Sequence, residues 1–80
     1  MRKLLDNFIL PKFGEIMSYD FIKTDNDEKL IIEFWMDGTE QELEEEIVDE
    51  FHNLQKYYGL SNLRVKFKFT TDGENFYEYN

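Results

Sequence analysis

The sequence contains no cysteine, one histidine and one proline among its 80 residues. Without cysteine the chain has no disulfide scaffold, thiolate metal site or cysteine nucleophile, which is typical of proteins in a reducing compartment. The single histidine, His52, lies in a predicted helix, whereas Ser18 and Ser61 lie elsewhere. Because catalysis requires a second group that converges on such a histidine, the sequence predicts a protein that is not an enzyme.

Glycine-rich and calcium-binding motifs are also missing. The four glycines are scattered, so no glycine-rich loop can enclose a phosphate. Asp25, Asp27 and Glu28 share one turn, but Lys29 occupies a ligand position of the EF-hand pattern and no glycine follows it. We therefore expect no metal and no cofactor.

Long apolar runs are missing as well. No stretch approaches the ~20 apolar residues that span a membrane, and the N-terminal MRKLLDNFILPKF is too interrupted for a signal peptide. The length fits one domain. We therefore expect a single soluble, cytoplasmic domain over residues 1–80.

Aromatic residues, in contrast, are abundant: eight Phe, five Tyr and one Trp. Their area can form a small core although 34% of the residues are charged. Hydrophobic periodicity predicts a short helix over residues 2–10, ended by Pro11, and a long helix over residues 39–58. Alternation predicts strands over residues 15–23, 29–36, 63–70 and 75–79.

Turn residues predict how these strands pair. A polar turn at residues 25–28 connects the first hairpin, and Asp72-Gly73 predicts a two-residue turn in the second. For the first hairpin we expect Phe21–Ile32, Tyr19–Phe34 and Met17–Met36 in the core and Ile22–Ile31, Asp20–Glu33 and Ser18–Trp35 on the outer face. For the second hairpin we expect Phe69–Phe76 in the core and Lys68–Tyr77 and Lys66–Tyr79 on the outer face.

The long predicted helix has one apolar side. It can start with a capping box of Thr39 and Glu42 or with one of Asp37 and Glu40. The apolar stripe contains Leu43, Ile47, Phe51, Leu54 and Tyr58. Gly59 predicts the end of the helix, with the next residue folding back on the last turn.

The element order is helix, hairpin, helix, hairpin, which predicts an α+β domain. We expect a mixed four-stranded sheet with the long helix across one face. The helix supplies a crossover that can bring the first and last strands together in parallel. This order is similar to that of the β-grasp arrangement of ubiquitin-like and immunoglobulin-binding domains. An all-antiparallel sheet is the alternative.

Negative charge is concentrated in the long helix. The chain has a net charge of −9, and residues 37–58 carry eight acidic side chains against one lysine. Such a protein is repelled by free nucleic acid and anionic membranes and attracted to basic protein surfaces. The acidic residues predicted to project away from the apolar stripe, or to flank it, are Glu42, Glu45, Glu46, Asp49 and Glu50.

Three functions fit this acidic helix. The chain is short, acidic, free of cysteine and without catalytic residues, and in this general character it resembles acidic inhibitors of nucleic-acid enzymes, including phage anti-restriction and anti-CRISPR proteins. The resemblance implies a nucleic-acid mimic that binds a basic protein partner stoichiometrically through the helix. An immunity protein or antitoxin against a basic toxin fits the same surface. A solvated face that keeps the protein soluble is the simplest alternative.

The outer face of the predicted sheet is a second candidate surface, suited to a structural interaction module. Its predicted patch consists of Ile22, Ile31, Trp35, Tyr77 and Tyr79. Burial of Trp35 under the N-terminal helix is the alternative. The basic residues Arg64, Lys66 and Lys68 accompany the tyrosines, a combination that binds single-stranded RNA, but the net charge of the chain opposes that ligand.

Overall fold

The computed structural model describes residues 2–23, 29–38 and 40–79. Its elements are α1 (Arg2–Leu4), continued by a π-helical turn (Leu5–Ile9), β1 (Ile16–Lys23), β2 (Lys29–Met36), α2 (Gln41–Tyr57), β3 (Arg64–Thr70) and β4 (Tyr77–Tyr79). The periodicity of the sequence thus predicted these elements to within about two residues. The predicted turn at 25–28 and Thr39 of one predicted capping box lie outside the described residues.

The four strands form one mixed sheet in the order β1-β2-β3-β4. β1 and β2 form one antiparallel hairpin, and β3 and β4 form another. The two hairpins are joined by parallel pairing of β2 with β3. The prediction of an α+β domain with a mixed four-stranded sheet is confirmed. The predicted β-grasp order is wrong, because the parallel pair is the second and third strands rather than the first and last.

Apolar content explains why β2 and β3 are central. Every second residue of β2, from Leu30 to Met36, is buried, and so are Phe67 and Phe69 of β3. A central strand is covered by neighbours on both edges, and α2 connects these two strands directly as a crossover. β4 has three residues and lies at an edge.

The core lies between one face of the sheet and both helices. Phe34 stacks on Phe69 with ring centroids 5.4 Å apart, and Phe51 of α2 meets Phe67 edge-on, also at 5.4 Å. The N-terminal segment adds Leu5 and other buried residues to this cluster. The opposite face of the sheet, called the open face here, carries the side chains that alternate with the core residues, among them Ile22, Ile31, Trp35 and Lys66.

The N-terminal helix is tied to β1. The hydroxyl of Tyr19 donates a hydrogen bond to Asp6 Oδ1 at 2.5 Å, and the guanidinium of Arg2 lies 5.1 Å from the centroid of the Phe21 ring. Partial burial and then the hydrogen bond to Asp6 raise the pKa of Tyr19. These contacts hold the helix on the same face of the sheet as α2.

The first hairpin has the predicted register except where β1 begins and β2 ends. Five of the six predicted pairs are present, but Met36 pairs with Ile16 instead of Met17. A β-bulge between Ile16 and Ser18 shifts the register, so that Ile16 is buried and Met17 is 67% exposed. The extra residue lets the strand keep an apolar side chain in the core where it meets the N-terminal segment.

The second hairpin differs from the prediction by one residue. Tyr77 pairs with Phe69 and Tyr79 with Phe67, whereas Glu78 pairs with Lys68. The predicted pairs Phe69–Phe76, Lys68–Tyr77 and Lys66–Tyr79 are therefore wrong. Because side chains alternate along a strand, this single-residue shift places both tyrosines on the helix-covered side of the sheet instead of the open face.

Asp72 causes this shift by organising a longer turn. Its Oδ1 accepts hydrogen bonds from the backbone N–H groups of Glu74 and Asn75 at 2.9 and 2.8 Å. The Thr70 hydroxyl also donates to Oδ1 and accepts from the N–H of Gly73, which has φ +78°. Residues 71–76 thus form a side-chain-capped loop rather than a two-residue turn.

The ends of α2 follow the prediction at one terminus only. Glu40 is the N-cap and makes no side-chain capping hydrogen bond, so the start predicted at Asp37 is wrong. At the other end Gly59 has φ +71°, and Leu60 N–H donates to Gln55 O at 2.7 Å, as in a Schellman motif. The predicted stop at Gly59 with the next residue folding back is confirmed.

Gln55 is a buried polar residue that secures the loop after α2. It is 4% exposed, and its Nε2 donates to the carbonyls of Leu60 and Leu63 at 3.2 and 3.1 Å. The predicted apolar stripe did not include it, although it occupies the buried side of the helix. Tyr58, which the stripe did include, is 47% exposed.

We expect Gln55→Met to destabilise the protein by about 1–3 kcal/mol, because methionine fills a similar volume but removes the Nε2 donor from the carbonyls of Leu60 and Leu63, of which only the Leu60 carbonyl keeps another donor, the N–H of Leu63. Urea unfolding followed by circular dichroism measures this change. Gln41→Met, at an exposed position in the same helix, is the matched control and should leave stability unchanged. Equal stability of the two variants would show that the Gln55 hydrogen bonds contribute nothing.

We expect the stabilising effect of Asp72 to depend on pH. Hydrogen bonds from the backbone of Asn75 and Glu74 hold the pKa of Asp72 well below its ordinary value. A depressed folded-state pKa stabilises the fold above the unfolded-state pKa, ~3.9, and this contribution is lost as the pH falls toward the folded-state value. The melting temperature of Asp72→Ala should therefore lie below that of wild type at pH 7, with the gap narrowing below about pH 4. Glu74→Ala, in the same turn, should show no such narrowing gap.

Candidate functional site

Helix α2 has its two sides sharply divided. Ile47, Val48 and Phe51 are buried against the sheet, each at most 3% exposed. The 3.6-residue repeat turns the intervening acidic residues toward solvent. The acidic row, as it is called here, consists of Glu42, Glu45, Glu46 and Asp49, all exposed.

The acidic row lacks compensating charge. Within the described parts of the chain, none of its four carboxylates lies within ion-pair distance of a lysine or arginine; the two ion pairs found there involve other acids. Like charges stand one turn apart in Glu42–Glu46 and Glu45–Asp49, an arrangement that destabilises a helix. With respect to the residues that the structure describes, the row is therefore a surface of negative charge without a basic neighbour.

Glu50, the fifth residue predicted for this surface, has a different role. Its Oε2 accepts a hydrogen bond from Lys12 Nζ at 2.8 Å, and its side chain is 29% exposed. The ion pair connects α2 to the segment that follows the N-terminal helix. Glu50 therefore lies beside the acidic row, but Lys12 partly neutralises its charge and the pair holds α2 in place.

Strand β4 lies beside the row. Burial, followed by the negative charges of Glu45, Asp49 and Glu44, raises the pKa of Tyr79. Tyr77, two residues earlier on the same side of β4, is 60% exposed. Sequence reasoning placed both tyrosines on the opposite face, and only the register set by Asp72 brings them to the acidic side.

The predicted outer-face patch is thus divided between two surfaces. Ile22, Ile31 and Trp35 lie on the open face, where Trp35 is 37% exposed, and the two tyrosines do not. The N-terminal helix lies on the other face, so the predicted alternative that it buries Trp35 is wrong. Without Tyr77 and Tyr79 the open face also lacks the aromatic pair on which the RNA-binding interpretation depended.

An aromatic cluster at the end of α2 was not predicted. Tyr57, 81% exposed, packs edge-on against Tyr58 at 4.9 Å, and Tyr58 lies 6.2 Å from the Phe8 ring. Tyr57 follows Glu46 by eleven residues and Glu50 by seven, spacings that place all three on one side of a helix. This periodicity could have predicted that Tyr57 is exposed on the acidic side of the helix.

The described residues were expected to hold no metal site, and their acidic side chains and His52 are arranged as follows. They contain no group of three or more His, Asp or Glu side chains arranged to hold a metal ion. His52 is exposed and packs edge-on against the Phe67 ring at 5.7 Å. In the described segments no helix has the length and apolarity needed to cross a membrane.

No protein-family model, curated protein or solved structure significantly matches the chain.

We expect Glu46→Gln to stabilise the isolated protein by about 0.5–1 kcal/mol at low salt, because Glu46 has like charges one turn away on both sides. The gain should shrink in ~1 M salt, where screening acts over ~3 Å. Urea unfolding at the two salt concentrations measures both effects. Glu74→Gln, in the turn before β4, should change stability by less than about 0.3 kcal/mol. Destabilisation by Glu46→Gln would mean that this carboxylate has a stabilising partner.

Proposed function

We propose that this protein is a small, non-enzymatic binding module that inhibits a target protein stoichiometrically. Its acidic helix occupies a basic surface on which the target binds nucleic acid. The observation that carries the proposal is the acidic row: four exposed carboxylates on one helix with no basic partner among the described residues. Basic protein surfaces are the ligands that such a row favours.

Charge spacing supports mimicry of nucleic acid. The four carboxylates of the acidic row lie over the ~12 Å of helix from residue 42 to residue 49, about one per 3 Å. Duplex DNA carries one charge per ~1.7 Å of its axis. Helical side chains three or four positions apart are ~5–6 Å apart at Cβ, so arginine and lysine side chains arranged for phosphates can meet successive carboxylates.

The rigidity of the helix supports the proposal as well. Ile47, Val48 and Phe51 hold α2 on the sheet, and the Lys12–Glu50 pair holds it at one side. The carboxylates therefore lose little backbone freedom when a partner binds. Exposed Tyr77, on the helix-covered side of β4, adds a ring on which a partner's arginine can stack.

The repulsion between the carboxylates of the row favours a binding surface over a surface that only keeps the protein soluble. Solubility needs only a net charge and is served equally by acids spread over the surface. Concentrating them on one helix destabilises the free protein, and a basic partner removes that repulsion on binding. Phage proteins directed against restriction or CRISPR systems are the class in which we place the inhibitor. An immunity protein against a basic toxin would use the same surface, and the identity of the partner distinguishes the two.

The test is affinity capture from the native host followed by mass spectrometry. We expect wild type to capture a nucleic-acid-handling protein that duplex DNA or high salt displaces. Glu45→Lys/Asp49→Lys should lose that protein. Asp20→Lys/Glu74→Lys changes the net charge by the same amount, with Asp20 exposed on the open face of the sheet, and should retain it.

Circular dichroism must show that both double variants are folded. If they capture the same partner as wild type, or if DNA does not compete for the partner, the acidic row is not the binding surface and the proposed function is wrong.

A further inference from the structure

One side of α2 carries two acids of the acidic row together with the histidine. Asp49 and His52 follow Glu45 by four and seven residues, so all three side chains project from the same side of the helix. His52 lies edge-on against the ring of Phe67 in β3, with the ring centroids 5.7 Å apart. This side of α2 is therefore in contact with the second hairpin of the sheet.

The opposite side of α2 faces the other edge of the sheet. Glu50 on that side pairs with Lys12, which follows the N-terminal helix, and that helix is tied to β1 at Tyr19. β1 and β4 are the two edges of the sheet. Because Glu50 is turned toward the β1 edge, the side of α2 that carries Asp49 and His52 is turned toward the β4 edge.

A tyrosine of β4 lies along this side of the helix. Tyr79 is the cross-strand neighbour of Phe67, the same ring that the histidine contacts, and it is partly exposed. Burial and then the charges of Glu45 and Asp49 raise its pKa, because carboxylates close to the phenol oppose its ionisation. Tyr77, two residues earlier on the same side of the strand, is 60% exposed. Carboxylates and tyrosine rings thus line this edge of the molecule, called the α2–β4 edge here.

Arginine is the side chain that both components of the α2–β4 edge favour. Its guanidinium is planar and always charged, so it can donate parallel hydrogen bonds to a carboxylate and stack on an aromatic ring. Lysine brings the same charge but has no plane to stack. Lys56 lies one turn after His52 on the same side of α2, so the acidic part of the edge ends before it and centres on Glu45 and Asp49.

We propose that the α2–β4 edge binds an arginine side chain of the basic partner, so that the protein selects arginine-bearing surfaces over lysine-bearing ones. Glu45 and Asp49 accept the hydrogen bonds, and the tyrosine rings supply the stacking surface. The proposal rests on the proposed function, which supplies a basic partner, and adds which basic side chain that partner presents. Because nucleic-acid-binding proteins contact phosphates through either arginine or lysine, the inference narrows the class of target.

Calorimetric titration with nona-arginine and with nona-lysine tests the proposal, because the two peptides carry the same charge. At low salt we expect wild type to bind nona-arginine about five-fold more tightly than nona-lysine. Tyr79→Leu should reduce this preference to about two-fold or less, whereas Tyr79→Phe should keep it because phenylalanine retains a ring. Tyr57→Leu, which removes an 81% exposed ring on another side of α2, is the matched control and should keep the preference as well.

Circular dichroism identifies the variants that are folded. If Tyr79→Leu is not, Tyr77→Leu replaces it, because Tyr77 is exposed on the same side of β4, and it should lower the arginine preference in the same direction. Equal affinity of wild type for the two peptides, or an arginine preference that the folded leucine variant retains in full, would overturn this proposal and leave the proposed function standing. Binding of neither peptide at low salt would contradict both.

Discussion

The structure depends on the aromatic contacts that join the parallel strands β2 and β3 to α2. Phe34 stacks on Phe67 and Phe69, and Phe51 meets Phe67 edge-on. Offset and edge-to-face rings of this kind are favourable beyond the area that they bury. Because Phe51 must point into this cluster, the rotation of α2 about its axis is determined, and with it the side on which the acidic row faces solvent. The core therefore decides where on the molecule the acidic row lies.

The molecule has two surfaces of opposite character on either side of one sheet. The helix-covered side presents carboxylates with no ion-pair partner among the described residues, while the open face balances its charges and exposes Ile22 and Trp35. The first surface repels other acidic surfaces, and the second lacks the charge to imitate a phosphate backbone.

Sequence reasoning succeeded where one local signal was sufficient and failed where several competed. The alternation of β1 and β2 correctly predicted five of six pairs, and Gly59 correctly predicted the end of α2. At Met17 a bulge was needed to bury Ile16, a demand that arises only from the packing of the N-terminal segment. At Asp72 the dipeptide Asp-Gly favoured a two-residue turn, but a carboxylate that accepts several hydrogen bonds selected a longer loop. Gln55 was left out of the predicted apolar stripe because it is polar. It can be buried because its two carbonyl partners lie in the loop beyond the helix.

The sequence by itself determined the elements, the α+β class and the acidity of α2, because periodicity and charge are properties of neighbouring residues. Four of the five acids assigned to the helix surface, Glu42, Glu45, Glu46 and Asp49, follow from that periodicity alone. Only the tertiary structure decided the strand order, the pairing of Glu50 with Lys12, and the face on which Tyr77 and Tyr79 lie. The physical reason is the two-residue period of a strand: a shift of one position exchanges its faces, and a loop several residues away determines that shift.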